Sequence, residues 1–386
     1  MRIAHFIDDF SASGGTERVA SNLTKLFTNH SYEVPLLFTF PPQMSKPFFD
    51  FGNLTSVVVL ERENKYLIKE MNDNCKKYNI DLILFHGYHS LMFNQNLQKF
   101  QDLEYPIILR TAFSTKNFLK INPKYPILIN LNYNLKKFIN FHLNLKEYYQ
   151  RKLEEIASTH RIVTVSEVCK TQMTELFMGN ENLQRNIFCA HNPIMLPQKT
   201  TSKKQKIVLY VGRLREKKKN SMLIVRAWEV IAKECPEWRL YIIGEGELKI
   251  IIRKYIHDHN IPNVQLLSPQ KNIQDYYAKS QIVVCTSNSD ALPQVLVEGA
   301  YYSNALLTTE FDGGYNEIVL NGLNGFVVPK NNLREFINKL LFIMNNEKIR
   351  KSMMDASPSL TKKFSPECVI KEWENIISSI LKKEHK

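Results

Sequence analysis

Short runs rich in β-branched and other apolar residues recur along the whole chain, each separated from the next by a stretch of helical periodicity or by a turn. In the first half they are Arg2–Asp8, Val34–Thr39, Ser56–Leu60, Asp81–Phe85, Ile107–Arg110, Ile162–Val165 and Ile187–Ala190. In the second half they are Lys206–Val211, Arg239–Gly244, Val264–Leu267, Ile282–Cys285, Ala305–Thr308 and Gly325–Val328. Amphipathic stretches such as Thr16–Phe27, Lys146–Ala157, Met222–Lys233 and Pro293–Tyr302 lie between them. Strands that read as continuous apolar runs must be covered on both faces, and helical crossovers provide that cover. The expected class is therefore α/β with parallel sheets.

A chain of 386 residues exceeds one ordinary core and suits two such domains. Pro193–Lys206, with Pro193, Pro197 and the tract Thr200-Thr201-Ser202-Lys203-Lys204, has no apolar period and reads as a connection. The expected division is an N-terminal Rossmann-like domain over 1–193, a linker over 194–205, a C-terminal Rossmann-like domain over 206–365, and a final helix over 366–386. Trp373, Ile376, Ile377 and Ile380 give that helix an apolar stripe, expected to pack back on the N-terminal domain. Two such domains are expected to face each other across a cleft, with ligands at the carboxyl ends of the strands.

Composition removes several classes. The six cysteines are scattered singly with no C-x-x-C pair, which suggests neither a zinc site nor a disulfide framework. No apolar run reaches the ~18 residues that span a bilayer, and the opening Met1–Phe10 is too short and too acidic for a signal peptide. The net charge of +13 favours anionic partners such as phosphates or acidic headgroups. A Lys-rich solvated surface accounts for part of it.

Three places carry chemistry. Ser13-Gly14-Gly15-Thr16-Glu17-Arg18 follows the first strand and opens a helix, where free N–H groups attract phosphate and glycines let a ligand approach. A plain tight turn explains the glycines equally well. Val211-Gly212-Arg213-Leu214-Arg215-Glu216-Lys217-Lys218-Lys219-Asn220 ends another strand in glycine followed by cations. An Arg fork and a Lys point charge suit a diphosphate; the bland reading is a solvated basic loop. Thr286–Glu298 runs from a strand through Asp290, Ala291, Leu292 and Pro293 into a helix, with Asp290 on the loop and Glu298 about two turns in. Carboxylates there can grip ribose or sugar hydroxyls, or simply complement a helix N-terminus.

The order of these signals resembles the retaining glycosyltransferases of family 4, which have the GT-B fold and are also described as glycosyl transferases group 1. The family's Gly-Gly-x-Glu-Arg-Val is matched by Gly14–Val19, its Gly-Arg-Leu and Lys-Asn by Gly212–Leu214 and Lys219-Asn220, and its Glu-x7-Glu by Asp290 and Glu298. Weaker echoes are Asp81–Gly87, Asn192-Pro193, Gly244-Glu245-Gly246, and Gly313-Gly314 through Glu317-Ile318-Val319 to Asn324-Gly325. Asp290 is one methylene shorter than the family's residue, Ala291 replaces its glycine, and the Gly-Arg-Leu to Lys-Asn spacing is one residue longer. The phosphate lysine is therefore Lys218 counted from Gly212, or Lys219 counted back from Asn220, with Lys219 slightly favoured. The resemblance also gives His86, at the end of a strand, a place facing the transferred sugar; a lone strand-end histidine is more often structural. His89 and His191 are weaker candidates.

What the resemblance implies is transfer of a hexosyl or N-acetylhexosaminyl unit from a nucleotide-diphosphate sugar, most simply UDP-linked, with retention and without a metal or other cofactor. Asp290, Arg213 and His86 are the expected catalytic residues. Gly14, Gly15, Arg213, Lys218, Lys219, Asp290, Leu292 and Glu298 are the expected donor-binding ones. No D-x-D motif sits in a suitable loop. The expected acceptor is a saccharide, lipid-linked, in surface polysaccharide or lipopolysaccharide assembly. Residues 105–146 lack Asp and Glu but mix Arg110, Lys116, Lys120, Lys124, Lys136, Lys137 and Lys146 with aromatics. They read either as an anionic-membrane surface or as cover for the sheet. The expected location is cytoplasmic, with peripheral attachment to the inner face of the membrane left open. Nucleic acid is not an expected partner. A nucleotide-sugar epimerase and a non-catalytic nucleotide-sugar binding module are the alternatives.

Overall fold

Every strand run picked out above forms a strand, to within a residue or so at each end. In the computed structural model, which describes residues 1–86, 97–114, 147–197 and 203–381, these are β1 (Arg2–Ile7), β2 (Glu33–Thr39), β3 (Ser56–Val59), β4 (Leu82–His86), β5 (Ile107–Thr111), β6 (Arg161–Thr164) and β7 (Ile187–Cys189), then β8 (Ile207–Val211), β9 (Arg239–Ile243), β10 (Val264–Leu267), β11 (Ile282–Cys285), β12 (Ala305–Thr309) and β13 (Gly325–Val328). They form two sheets, one in the order β3-β2-β1-β4-β5-β6-β7 and one in the order β10-β9-β8-β11-β12-β13, and the pairs are parallel.

Each sheet belongs to its own unit. The first comprises Met1–His191 with Ile370–Lys386, the second Asn192–Val369. In the first unit, alternate residues of a strand serve opposite faces. Phe6, Leu36, Phe38 and Phe85 join one core, while Ile7 and Leu37 join another with Phe10, Ala20 and Phe51. The helix Gly15–Thr28 supplies the second face with Val19, Ala20, Leu23, Leu26 and Phe27, an i, i+3/i+4 stripe. At the edge, β3 exposes Val57 and Val59 and buries its alternates more deeply, as a strand covered on one face does.

The second unit is built likewise around Val208, Tyr210, Leu240, Ile242 and Val284. The helix Ser221–Glu234 buries Ile224, Trp228 and Ile231 against them, and Trp228 Nε1 donates to the Pro262 carbonyl at 3.1 Å. The described parts of the expected linker stay with this unit: Ile194 N–H donates to Phe364 O at 2.8 Å, and the Tyr302 hydroxyl donates to Pro197 O at 3.0 Å.

The helix Pro366–Leu381 carries the stripe read from the sequence, with Trp373, Ile376, Ile377 and Ile380 buried. From Ile370 it belongs to the first unit. There Trp373 stands edge-on to Phe27 at 5.5 Å. Arg161 Nε donates to Ser379 Oγ at 3.0 Å, and its Nη2 donates to the Ser379 carbonyl at 2.6 Å. Glu372 accepts from the His191 backbone N–H and Nδ1, each at 2.8 Å. Among the described residues no helix is long and apolar enough to cross a membrane.

Both sheets change winding direction once, between β1 and β4 and between β8 and β11. At such a point neighbouring carboxyl-end loops diverge and leave a crevice. Trp373→Ala should lower the stability of the first unit by about 3–5 kcal/mol, the usual cost of emptying a buried aromatic site. Denaturant unfolding followed by a probe in that unit checks this, and a change below ~1 kcal/mol would show that the final helix contributes little.

Candidate active site

The ends of β8 and β11 stand at the winding reversal of the second sheet. After β8, Gly212 N–H donates to Ile243 O at 3.0 Å and Leu214 N–H to Glu245 O at 2.8 Å, so two strand ends run backbone to backbone. A Cβ on Gly244 would lie 1.9 Å from the Gly212 carbonyl oxygen, and one on Gly246 (φ +152°) 2.4 Å from the Leu214 oxygen. Only glycine fits either place. Leu214 is buried, which leaves Arg213 exposed beside it.

The helical turn Glu216–Lys219 ends at Asn220, which adopts the left-handed conformation (φ 46°, ψ 46°) that Asn tolerates. Asn220 Nδ2 donates to Asn331 Oδ1 at 3.1 Å. The loop after β11 is fastened to this turn. Thr286 Oγ1 donates to Lys219 O at 2.9 Å, and the N–H groups of Asn288 and Ser289 donate to Lys218 O at 2.8 and 3.2 Å.

The result is an ion pair between Lys219 Nζ and Asp290 Oδ2, with the side chains 30% and 19% exposed. Burial, the largest single influence, pulls the Lys219 pKa down, but the charge of Asp290, Cys285 and the hydrogen bond to Asp290 together raise it, and the pKa stands raised although the nearby Arg213 also opposes the charge. Lys219 therefore stays an ammonium. The structure thus brings Lys219, not Lys218, to Asp290; Lys218 is exposed.

Asp290 sits on the loop as read from the sequence, held from behind: a Cβ on Gly313 would lie 1.9 Å from its carbonyl oxygen, and Gly314 N–H donates to Ala291 O at 2.7 Å. Ala291 and Leu292 are buried. The helix Gln294–Tyr301 begins only after Pro293. Glu298 is consequently its fifth residue, nearer one turn in than the expected two, and 4% exposed.

In the first unit, Gly14 precedes the helix Gly15–Thr28 in extended conformation (φ −85°, ψ 173°). A Cβ on Gly15 would meet nothing within 4 Å. Neither glycine has positive φ, so a strained turn does not explain them. His86, the last residue of β4, is 3% exposed beside His5 of β1, which is fully buried. His86 Nε2 lies 3.3 Å from His5 Nδ1. Burial lowers the His5 pKa to about 3; burial, then His5 and Arg110, hold His86 well below the ordinary histidine range. Both rings are neutral. The sequence reading missed His5, whose only signal is one polar residue inside an apolar strand run.

His89 and most of the basic, aromatic segment 105–146 lie outside the described residues. Of its described part, Tyr105 and Phe113 pack on the first unit's core and Arg110 is 1% exposed within β5, so Arg110 is not one of the segment's surface cations. His191 is occupied by Glu372. Among the described residues no group of three His, Cys, Asp or Glu side chains is placed to hold a metal ion.

Residues 194–359 match the family model described as "Glycosyl transferases group 1". A protein of Haemophilus influenzae described as an uncharacterized glycosyltransferase is 26% identical over 385 residues, 97% of this chain and 99% of its own length. The chain is a glycosyltransferase. The amylovoran biosynthesis glycosyltransferase AmsD of Erwinia amylovora is 25% identical over 380 residues, covering 96% of this chain and 98% of its own. The crystal structure of Anabaena Alr3699/HepE in complex with UDP and glucose superposes with a TM-score of 0.75 at 15% identity, covering 98% of this chain and 100% of that one. The architecture of this glycosyltransferase is accordingly GT-B, as its motifs imply.

The glycines of this glycosyltransferase should divide by role. Gly244→Ala should destabilise by at least about 1–3 kcal/mol through overpacking. Gly15→Ala, in open space at a helix start, should leave stability unchanged or raise it by up to ~1 kcal/mol while lowering turnover. Thermal unfolding with an activity assay separates the two, and a Gly15→Ala enzyme of full activity would return that glycine to a plain helix start.

Proposed function

We propose that the enzyme transfers a hexosyl or N-acetylhexosaminyl unit from a UDP-sugar to a saccharide acceptor with retention at the anomeric carbon, in the assembly of a surface polysaccharide or lipopolysaccharide on a lipid-linked intermediate. The observation that carries this reading is the Lys219–Asp290 pair beside Arg213 at the winding reversal of the second sheet. Fixed cations at that point suit a diphosphate, and a carboxylate held against them suits the sugar hydroxyls next to it. The choice of UDP draws on the UDP and glucose bound in Alr3699/HepE, and that of a polysaccharide acceptor on the amylovoran role in AmsD's description.

In the proposed reaction the bond between the anomeric carbon and the diphosphate oxygen breaks, and the acceptor oxygen bonds to that carbon on the same face. The acceptor's proton passes to the departing phosphate oxygen, so no protein base is consumed. Arg213 and Lys219 stabilise the negative charge that grows on the diphosphate, where preorganised charge counts most. Lys219 is already fixed by Asp290, so little reorganisation is needed when the donor binds. Glu298 holds the ribose hydroxyls by charge-assisted hydrogen bonds. Within the first unit, Gly14 and Gly15 leave the helix start open to an anionic group, and His86 meets a saccharide hydroxyl.

Lys219→Ala should lower turnover by at least ~10²-fold, the scale of losing one electrostatic contact to the transition state, while Lys218→Ala should cost far less. Steady-state rates with a panel of UDP-sugars test this; the opposite order would reassign the phosphate lysine. Glu298→Gln should weaken UDP binding by about 1–3 kcal/mol, read by calorimetry, and unchanged affinity would remove Glu298 from the ribose. Activity should persist in excess EDTA. Its complete loss, with recovery on adding manganese or magnesium, would sink the metal-free reaction.

A further inference from the structure

We propose that His5 is a positioning residue for His86: it fixes the tautomer in which His86 carries its single proton on Nδ1 and presents that N–H to a hydroxyl oxygen of the bound saccharide. The proposal rests on the reading of His86 as a residue that meets the sugar.

The argument is one of hydrogen accounting. Thr24 Oγ1 has one hydrogen and donates it to the carbonyl of Ala20, one turn back in its helix, at 2.9 Å. Toward His5 Nδ1, 3.4 Å away, Thr24 can then only accept. A hydrogen on His5 Nδ1 faces two acceptors at similar range, Thr24 Oγ1 and His86 Nε2 at 3.3 Å. The opposite arrangement places the hydrogen on His86 Nε2 and turns the lone pairs of Thr24 Oγ1 and His5 Nδ1 toward each other. Each arrangement leaves one buried N–H without a partner among the described residues, His86 Nδ1–H in the first and His5 Nε2–H in the second. Only the first places that N–H at the carboxyl end of a strand, where a ligand oxygen can satisfy it, since His86 ends β4 whereas His5 lies within β1. His5 is thus protonated on Nδ1, His86 Nε2 is the bare acceptor, and the neutral His86 ring has its proton on Nδ1.

His86 Nδ1 itself has no partner among the described residues. It lies at the carboxyl end of β4, beside β1, where the first sheet reverses its winding. An ordered buried donor left open at that place is satisfied when a ligand oxygen arrives. Arg110, paired with His86 in the register of β4 and β5, adds a positive charge nearby and disfavours a second proton on the ring. His86 is on this account a donor of a hydrogen bond and not a general base. A sugar hydroxyl, which accepts as readily as it donates, is the matching group.

Nitrogen-15 NMR of the full chain labelled at histidine reads the tautomer without any variant. The expected result is a protonated Nδ1 and a bare Nε2 on His86; the reverse assignment overturns the proposal. Substitution gives a second reading, because the amide nitrogen of Asn reaches the place of Nδ1 and that of Gln the place of Nε2. His86→Asn should keep at least ~10-fold more turnover than His86→Gln, a one-hydrogen-bond difference. His5→Leu should lower turnover about 10-fold or more at unchanged UDP affinity, and His5→Asn, which retains a donor at the Nδ1 position, should recover most of it. Equal turnover of His86→Asn and His86→Gln, or no difference between His5→Leu and His5→Asn, overturns it. Failure of the donor-site reading shows separately, as normal turnover in Lys219→Ala.

Discussion

A strand in a parallel sheet cannot turn back beside its neighbour; it must leave at its carboxyl end, cross a face, and return. Each departure in both units therefore happens on the same edge of its sheet, and the loops that carry polar side chains are collected there. The reversal of winding between β8 and β11 decides which two loops diverge, and between them stand the residues of the basic turn and the acidic loop. Lys219 and Asp290 are far apart in sequence, yet they pair because both follow strands that are buried on both faces and leave no other exit. Gly244, Gly246 and Gly313 maintain this arrangement by letting backbones meet where any side chain would intrude.

The strands were legible because a doubly buried strand is a run of Ile, Val, Leu and Phe with little alternation, and these runs end where glycine, proline or a charge enters. The final helix was legible for the complementary reason: Trp373, Ile376, Ile377 and Ile380 repeat at helical spacing. The lysine that pairs with Asp290 was not, since counting from either side of the longer Gly-Arg-Leu to Lys-Asn spacing gives a different residue. What decides its partner is the left-handed Asn220, which ends the turn and sends Lys219 toward the loop after β11. A conformation of that kind has no signature in the sequence, where Asn220 looks like any Asn before an apolar stripe. The depth of Glu298 was misjudged for a similar local reason, because Pro293 stays extended and delays the helix.

The histidines show the limit from another side. His86 could be noticed because it ends a strand next to a glycine. His5 could not be paired with it, since the relation depends on which strands are neighbours, and β1 lies beside β4 only through the sheet order. Contacts between strands distant in sequence are set by topology, and a motif search sees neither the neighbour nor the face it shares.

The return of the chain to the first unit at Ile370 bears on how the protein comes into being. Phe27 belongs to the helix Gly15–Thr28, but the ring it meets, Trp373, belongs to Pro366–Leu381, made more than 300 residues later. During synthesis the second unit has its whole chain once Val369 has emerged, whereas the first, begun earlier, lacks a wall until the segment from Ile370 follows. Until then the apolar side of Gly15–Thr28 that Trp373 will cover is bare, a surface for chaperones or for premature association. A nascent chain halted just short of Ile370 would carry one finished unit and one that is still waiting.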